Sequence, residues 1–189
     1  TKINNYIAKN PAYVFHHLMK CGGTSLTIAF QEWFTLKLDH IKTEEETVDL
    51  NQYLNYKYNI ENLISDDCIV SHFQSESYFL HQRYPEVLGR KDKFRIFTFV
   101  REPLSIVTSL YYYARKGGSL QDISLIHSIK YSKENFLASL FPCDETNYKE
   151  ILDRYFFIGI VEKMQESMDK LALILNKKRI IVPTSNTTE

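Results

Sequence analysis

Lysine, glycine and hydroxyl residues stand together between residues 17 and 25, a composition suited to holding a phosphate group. The segment reads His17-Leu18-Met19-Lys20-Cys21-Gly22-Gly23-Thr24-Ser25 and leads into an amphipathic run at 26–34. Adjacent glycines let the backbone approach a ligand, and the N-terminus of a following helix offers N–H groups and a dipole that favour an anion. We therefore predict an anion-binding loop over 20–25. The alternative is a plain strand-to-helix turn with Thr24 as the N-cap.

A second segment whose side chains could bind a ligand is Arg101-Glu102-Pro103-Leu104, directly after the apolar run 94–100. Pro103 suits the first turn of a helix, where a missing N–H costs nothing. Ser109 follows eight residues after Arg101, about two turns into that helix. The planar guanidinium of arginine makes paired hydrogen bonds to phosphate oxygens. Taken alone, however, Arg101 is better explained as a surface charge beside a helix.

His72 stands near the end of the apolar run 68–73 and is the candidate proton acceptor. An unperturbed imidazole has a pKa near 6.5 and can accept a proton near neutral pH. A lone histidine at a strand end is more often a structural or surface residue, and the residues alone favour that interpretation. Glu76 and Arg83 are candidates for lining an acceptor pocket, on proximity only. The other histidines outside the loop receive no role: His16, His40, His81 and His127.

The elements that must position these residues follow from hydrophobic spacing. Short apolar runs predict strands at 12–18, 68–73, 94–100, 155–161 and 179–182, and helical spacing predicts helices at 24–36, 104–114, 133–140 and 162–175. Most of the runs are apolar on both faces, which is typical of a parallel sheet covered by helices on each side. We predict an α/β fold with a central parallel sheet, in which ligands bind beyond the carboxyl ends of the strands. The polar stretch 39–62 is expected to be an excursion between the first two strands.

Length, composition, net charge and cysteine number restrict the class of protein. The chain has 189 residues, 44% of them hydrophobic, which fits a single domain over 1–189. Twenty-three basic residues balance 23 acidic ones, so net charge gives no reason to expect a nucleic acid partner. Three cysteines without a short-range pairing pattern favour a reducing compartment. No apolar run reaches the roughly 20 residues of a membrane span, and no His/Cys/Asp spacing matches a zinc site, so neither a membrane segment nor a metal is expected.

The loop Lys20-Cys21-Gly22-Gly23-Thr24-Ser25 closely resembles the Lys-Thr-Gly-Gly-Thr-Ser 5′-phosphosulfate loop of sulfotransferases that use 3′-phosphoadenosine 5′-phosphosulfate (PAPS). The resemblance is to the Golgi carbohydrate type and its bacterial relatives. His17 matches the histidine that often precedes that lysine by three positions. Two departures are Met19, where the family usually has proline, and Cys21, where it often has threonine. Neither departure removes a phosphate donor on which the family relies.

Two further segments resemble the same family. Arg101-Glu102-Pro103 with Ser109 is similar to the 3′-phosphate motif, Arg-Asp-Pro with a serine at the same spacing. Phe157-Ile158-Gly159-Ile160-Val161-Glu162 with Ser167 is similar to the family's Phe-Val-Gly-x-x-Glu segment. The three matches occur in the family's order and span residues 12 to 175.

The resemblance implies an enzyme that moves a sulfuryl group from PAPS to a hydroxyl or amine by in-line displacement. It implies that the loop holds the 5′-phosphosulfate, that Arg101 and Ser109 hold the 3′-phosphate, and that His72 is the catalytic base. Lys20 would stabilise the departing 3′,5′-diphosphoadenosine (PAP). The implied cofactor-binding residues are Lys20, Cys21, Gly22, Gly23, Thr24, Ser25, Arg101 and Ser109. No metal enters this chemistry.

Two alternatives remain at this point. A P-loop kinase has the loop G-x-x-x-x-G-K-[ST], in which lysine follows the last glycine, whereas Lys20 precedes Gly22 and Gly23 here. Magnesium-dependent ATP hydrolysis would revive that alternative. A catalytically silent module that keeps the nucleotide fold would bind PAP without transferring anything. Retention of Lys20 and His72 counts against the silent module.

The sequence constrains the acceptor and the cellular location of the protein less than it constrains the fold. We expect a carbohydrate or another hydroxyl or amine compound as acceptor, and the sequence fixes neither its identity nor the oligomeric state. A cytoplasmic location is favoured for the chain as given, with the Golgi lumen as the alternative if an N-terminal anchor was removed. Members of the resembled family continue past the position of Glu189 into another helical segment, so truncation of the domain at its C-terminus is kept as an alternative.

Overall fold

A computed structural model describes residues 11–39, 56–73, 78–120, 122–132, 135–141 and 143–183. The strands of this part are β1 Ala12–His16, β2 Thr35–Leu38, β3 Asp67–Ser71, β4 Phe94–Val100 and β5 Phe157–Ile160. The helices are α1 Gly23–Phe30, α2 Leu80–Arg83, α3 Pro85–Gly89, α4 Pro103–Lys116, α5 Leu125–Lys130, α6 Phe136–Ser139, α7 Tyr148–Asp153 and α8 Met164–Leu175. Single 3-10 turns cover Ile60–Asn62 and Val161–Lys163.

The strands form one parallel sheet in the order β2-β3-β1-β4-β5. At the carboxyl end of β1, His16 pairs with Ser71 of β3 on one side and with Thr98 of β4 on the other. Three central strands therefore end close to one another, and whatever follows them meets at a single edge. The predicted α/β class with a central parallel sheet is confirmed.

Alternating side chains of the central strands β1, β3 and β4 build a hydrophobic core on both faces of the sheet. Tyr13 and Phe15 of β1 pack with α1 and α8, whereas Ala12 and Val14 pack with α2 and α3. The first face is rich in aromatic rings, among which Phe15 lies 5.0 Å from Phe30 between ring centroids. Burial of apolar surface on both faces explains why these strands read as continuous apolar runs.

The chain leaves β1 and β3 toward opposite faces of the sheet. The connection after β1 leads to α1, whose residues join the core with Phe15, while the connection after β3 leads to α2 and α3 on the other face. Diverging connections open a crevice at the carboxyl ends of neighbouring strands, which is where ligands bind in open α/β sheets. The crevice of this sheet therefore lies between β1 and β3.

The predicted helix 24–36 is wrong in its second half. Helix α1 ends at Phe30, a turn follows, and Thr35–Leu38 is the edge strand β2, paired in parallel with β3. Trp33 and Phe34 follow Phe30 at helical spacing, but both pack into the core from the turn. Because β2 intervenes, the polar stretch after Asp39 comes after the second strand rather than between the first two. Residues 40–55 of that stretch lie outside the described residues.

The predicted strand 179–182 is also wrong, since the segment is extended but belongs to no sheet. Its backbone polar groups are satisfied by a side chain instead: Gln165 donates to the Ile180 carbonyl at 2.9 Å and accepts from the Val182 amide at 3.0 Å. Trp33 Nε1 also donates to the Lys178 carbonyl at 2.8 Å. The predicted helix 133–140 is shorter than expected, because α6 covers only four residues. Within the described ranges, no helix is long and apolar enough to cross a bilayer.

Candidate functional site

The loop between β1 and α1 turns through two left-handed residues. Lys20 has φ +59° and Gly22 has φ +74°, and α1 begins at Gly23 with the Leu26 amide bonded to the Gly22 carbonyl at 3.1 Å. Left-handed backbone costs a side-chain-bearing residue such as Lys20 roughly 1–2 kcal/mol, whereas glycine adopts it freely. Gly22, which has no side chain, occupies the N-cap position, and no acidic residue stands in the first turn. The N-terminus of α1 is therefore not capped by a carboxylate of its own.

Side chains of the protein fill the room that the two glycines leave. A Cβ on Gly23 would lie 1.6 Å from Nε2 of His17, so the imidazole packs directly against the first residue of α1. A Cβ on Gly22 would lie 2.3 Å from the terminal methyl of Met164. The sequence explained these glycines by close approach of a ligand, and the structure adds a packing reason for both.

The remaining loop residues divide between core and surface. Cys21 is buried with Leu18 and Ile106, its amide donates to the Leu18 carbonyl at 3.3 Å, and burial raises the pKa of its thiol to about 12. Ser25 is buried and Thr24 is exposed. Cys21 thus anchors the loop from inside, while Thr24 presents its hydroxyl group at the surface.

Arg101 connects the two predicted anion motifs. Its Nη1 donates to the Lys20 carbonyl at 3.2 Å, across 81 positions of sequence. The Lys20 ammonium lies 4.3 Å from the ring centroid of Tyr113 on α4, a cation–π distance. Burial, together with the positive charge of Arg101, lowers the pKa of Lys20. Two cationic side chains therefore stand side by side at the carboxyl edge of the sheet.

Helix α4 begins differently from α1, because its N-terminus is capped by its own carboxylate. Glu102 accepts hydrogen bonds from the amides of Leu104 at 2.9 Å and Ser105 at 2.6 Å, and these bonds lower the pKa of Glu102. The Glu102 amide in turn donates to Glu162 at 2.9 Å. Ser109 is buried on α4, one helical turn before Tyr113, the residue that contacts Lys20.

His72 lies against the loop, at the crevice between β1 and β3. Its Nδ1 donates to the backbone carbonyl of His17 at 2.9 Å, and the centroids of the His17 and His72 rings are 4.1 Å apart. A carbonyl can only accept, so the neutral ring carries its hydrogen on Nδ1 and its basic lone pair on Nε2. Burial lowers the pKa of His72, against the opposing effect of the His17 carbonyl. The neutral, proton-accepting form is thereby favoured near neutral pH.

The chain leaves His72 through an unusual backbone conformation. Phe73 has φ +47° and is buried with its ring near His16 and Tyr84. Bulky residues seldom adopt this left-handed conformation, and they keep it where the surrounding packing demands it.

Four other predicted positions have simpler explanations. His16 is buried with Nδ1 2.7 Å from the Tyr155 hydroxyl, and burial lowers its pKa to about 3 despite an interaction with the His72 backbone, so it packs as a neutral ring behind the site. His81 and His127 are exposed. Arg83 was predicted to line an acceptor pocket, and this is wrong: it is buried in an ion pair with Asp39, at 2.6 and 2.7 Å. Glu76 and His40 lie outside the described residues.

The third motif positions the sheet edge rather than a ligand. A Cβ on Gly159 would lie 2.5 Å from the Phe99 ring, so glycine is required for β5 to pack on that ring. The Ser167 hydroxyl bridges the amide and the carbonyl of Ile160 at 3.0 and 3.2 Å. Glu162 of the same motif holds the start of α4 by accepting a hydrogen bond from the Glu102 amide. These contacts give the motif a structural role in packing β5 and in holding the start of α4.

Reactive sulfur and metal chemistry find little support in the described part of the chain. Cys21, Cys68 and Cys143 are unpaired, and burial raises the pKa of each thiol. Among the residues described, no three His, Cys, Asp or Glu side chains converge as a metal site would require. The polar groups that do converge at the crevice are cations and imidazoles.

The sequence analysis gave no role to two residues of this site. His17 was noted only as part of a resemblance, and its ring touches both Gly23 and His72. Tyr113 was overlooked, although it stands four residues after Ser109 and so shares its side of α4. Helical spacing from Ser109 could have indicated Tyr113. The contact of His17 with His72 joins two strands and has no signal in either segment.

Comparison with known proteins yields limited similarity. No family model matches the chain, and no curated protein matches it. Among solved structures, the chain is similar to a crystal structure of a sulfotransferase from Alicyclobacillus acidocaldarius, with 13% sequence identity and a TM-score of 0.49. The alignment covers 95% of this chain and 86% of that one. An identity of 13% does not assign a function to this chain.

Proposed function

We propose that this protein is a sulfotransferase that moves a sulfuryl group from PAPS to a hydroxyl or amine of an acceptor. The observation that carries the proposal is the hydrogen bond between Arg101 and the Lys20 carbonyl. It joins two motifs that resemble the 5′-phosphosulfate loop and the 3′-phosphate site of one family, at the edge where His72 also lies. A donor with phosphates at both ends of its ribose needs two such anion sites near one base.

The two anion sites would act by different groups. At the β1–α1 connection, the amides at the start of α1 and the Lys20 ammonium would hold the phosphosulfate, because that N-terminus has no carboxylate of its own. At the β4–α4 connection, Glu102 already accepts from the first amides of the helix. The side chains of Arg101 and Ser109 would therefore hold the 3′-phosphate.

His72 would act as the base through Nε2. PAPS supplies an activated sulfuryl group, bonded through oxygen to its 5′-phosphate. Nε2 of His72 takes the proton from the acceptor hydroxyl or amine as the acceptor atom bonds to sulfur. The bond between sulfur and the 5′-phosphate oxygen breaks, and that oxygen keeps the electron pair. Lys20 stabilises the negative charge that remains on the leaving PAP.

Turnover of PAPS with a His72→Gln variant tests the proposed chemistry. Purified protein is incubated with PAPS and a pooled set of carbohydrate, phenol and amine acceptors, and PAP release and sulfated product are measured by mass spectrometry. We expect product with the wild type and a loss of about 100-fold or more in His72→Gln. His81→Gln, at an exposed position, is the matched control and retains turnover.

Three results, from this assay and from parallel measurements of PAP binding and of ATP hydrolysis, would count against the proposal. Equal turnover in the wild type and His72→Gln would remove His72 as the base. Tight PAP binding without product from any acceptor would favour the silent binding module. Magnesium-dependent hydrolysis of ATP would favour the kinase.

A further inference from the structure

His17 is the residue through which the loop and the candidate base touch. Its ring stacks on Phe15 with 8° between the planes, lies 4.1 Å from the His72 ring, and fills the space above Gly23. Its backbone carbonyl accepts the hydrogen of His72 Nδ1. One residue therefore holds the His72 ring by both its main chain and its side chain.

The geometry points to His17 as the positioning residue for His72. It also explains why residue 23 is a glycine, because the His17 ring occupies the space that a side chain would need. This inference rests on the proposed role of His72 as the base. The carbonyl of His17 selects the Nδ1–H tautomer of His72, and the ring of His17 prevents the His72 ring from turning away from that carbonyl. Nε2 of His72 is thereby kept as the proton acceptor at the crevice.

Gly23 supplies a second line of support that is independent of His72. Its φ lies outside the left-handed region, and it begins an α-helix, so alanine is allowed there by backbone conformation and favoured by helix propensity. The obstacle to alanine is the His17 ring, 1.6 Å from the added Cβ. Replacing Gly23 by alanine must therefore displace His17, and with it the support of the His72 ring.

A double-mutant cycle with nuclear magnetic resonance tests the inference without an acceptor or a nucleotide. The imidazole nitrogen shifts of His72, assigned with His72→Gln, report the ratio of its two neutral tautomers. We expect the Nδ1–H form to dominate in the wild type and in His17→Phe, which keeps a flat ring. In His17→Ala and in Gly23→Ala, we expect its excess over the Nε2–H form to fall about tenfold.

The combined variant His17→Ala/Gly23→Ala decides the role of Gly23. If glycine is needed for the His17 ring, alanine at 23 has no further effect once that ring is gone, so the double variant matches His17→Ala. His127→Ala removes an exposed ring that lies 4.4 Å from Tyr131 and is the matched control, with no change at His72. An unchanged tautomer ratio in both single variants, or an equal effect of Gly23→Ala in both backgrounds, would overturn the inference. A failure of PAPS turnover would leave these signals unaffected and would count against the proposed function alone.

Discussion

The connections β1–α1 and β4–α4 are both turns from a strand to a helix at the same edge of the sheet, yet they are built in opposite ways. The first contains left-handed Lys20 and Gly22, and its helix begins without a capping carboxylate. The second has a proline in its first turn, and the carboxylate of Glu102 accepts from two helix amides. The N-terminus of α1 thus has no carboxylate in its first turn, whereas that of α4 is occupied by an anion of the protein.

In the proposed site, this difference would give the two ends of one ligand different means of binding. The N-terminus of α1 would bind through backbone amides, which any phosphate or phosphosulfate satisfies. The capped N-terminus of α4 would leave recognition to side chains, namely Arg101 and Ser109. We therefore expect selectivity for a 3′-phosphate to reside in the second connection, and contact with the reacting end of the ligand in the first.

Lys20→Ala should have the largest effect, on turnover rather than on folding. In the proposed reaction the ammonium stabilises charge on the leaving phosphate, and removal of one such group costs about 100- to 1,000-fold in rate. The rate of PAP release from PAPS is the measurement. Lys130→Ala, an exposed lysine at the end of α5, is the control. A Lys20→Ala protein with wild-type turnover would remove the β1–α1 connection from the chemistry.

Ser109→Ala should weaken PAP binding by about tenfold or more, since a hydrogen bond to a charged group contributes roughly 1.5–3 kcal/mol. ADP, which lacks the 3′-phosphate, should bind with unchanged affinity. Calorimetry with both nucleotides measures the two effects. Ser128→Ala on α5 is the matched control. A parallel loss of affinity for both nucleotides would mean that Ser109 does not distinguish the 3′ end.

Gly22→Ala should lower the free energy of unfolding by roughly 1–2 kcal/mol, because alanine is strained at φ +74°. The added Cβ also meets Met164, whose flexible end can move aside. Denaturant unfolding measures the change, with Gly117→Ala at the end of α4, where φ is −79°, as the control. The account further expects Gly22→Ala to weaken PAP and ADP binding equally. Selective loss of PAP binding would contradict the division between the two connections.

Glu102→Gln should have the smallest effect, confined to stability and dependent on pH. Hydrogen bonds from the helix amides lower the pKa of Glu102 in the folded protein. Its stabilising contribution is therefore complete above the ordinary glutamate pKa and is lost as the pH falls through the lowered value. The melting temperature of Glu102→Gln should lie below that of the wild type at neutral pH, and the two should converge in acid. Glu145→Gln, in an exposed turn, should show no such difference, and a difference that grows in acid would contradict the cap.

Elements were predicted correctly where the pattern of nearby residues decides their conformation. The predictions failed where contacts with residues distant in the sequence decide it. Apolar runs predicted β1, β3 and β4 because those strands are covered on both faces, and the run 155–161 predicted the edge strand β5, which is only partly buried. Strand β2 escaped because it is a four-residue edge strand that contains Lys37, and its pairing with β3 decides its conformation. Segment 179–182 has strand-like residues, but the side chain of Gln165 satisfies its backbone in place of a neighbouring strand.

In the candidate site too, the local segments could be predicted from the sequence, whereas the contacts between them could not. Lysine followed by two glycines predicted the loop between β1 and α1, and a strand followed by Arg-Glu-Pro predicted the start of α4. The hydrogen bond from Arg101 to Lys20 joins residues 81 positions apart, and the contact of His17 with His72 joins residues 55 positions apart. Such contacts follow from the strand order, which no single segment encodes.

The decisive experiment is a calorimetric titration with PAP and with ADP in the presence of EDTA. We expect the wild type to prefer PAP without a metal, and Arg101→Ala to lose this preference while ADP binding changes little. Arg154→Ala, at a half-buried arginine that follows α7 and pairs with Glu150, should behave as the wild type. Equal binding of the two nucleotides by the wild type, or binding of ADP that requires magnesium, would contradict the assignment of a PAPS site to this edge of the sheet.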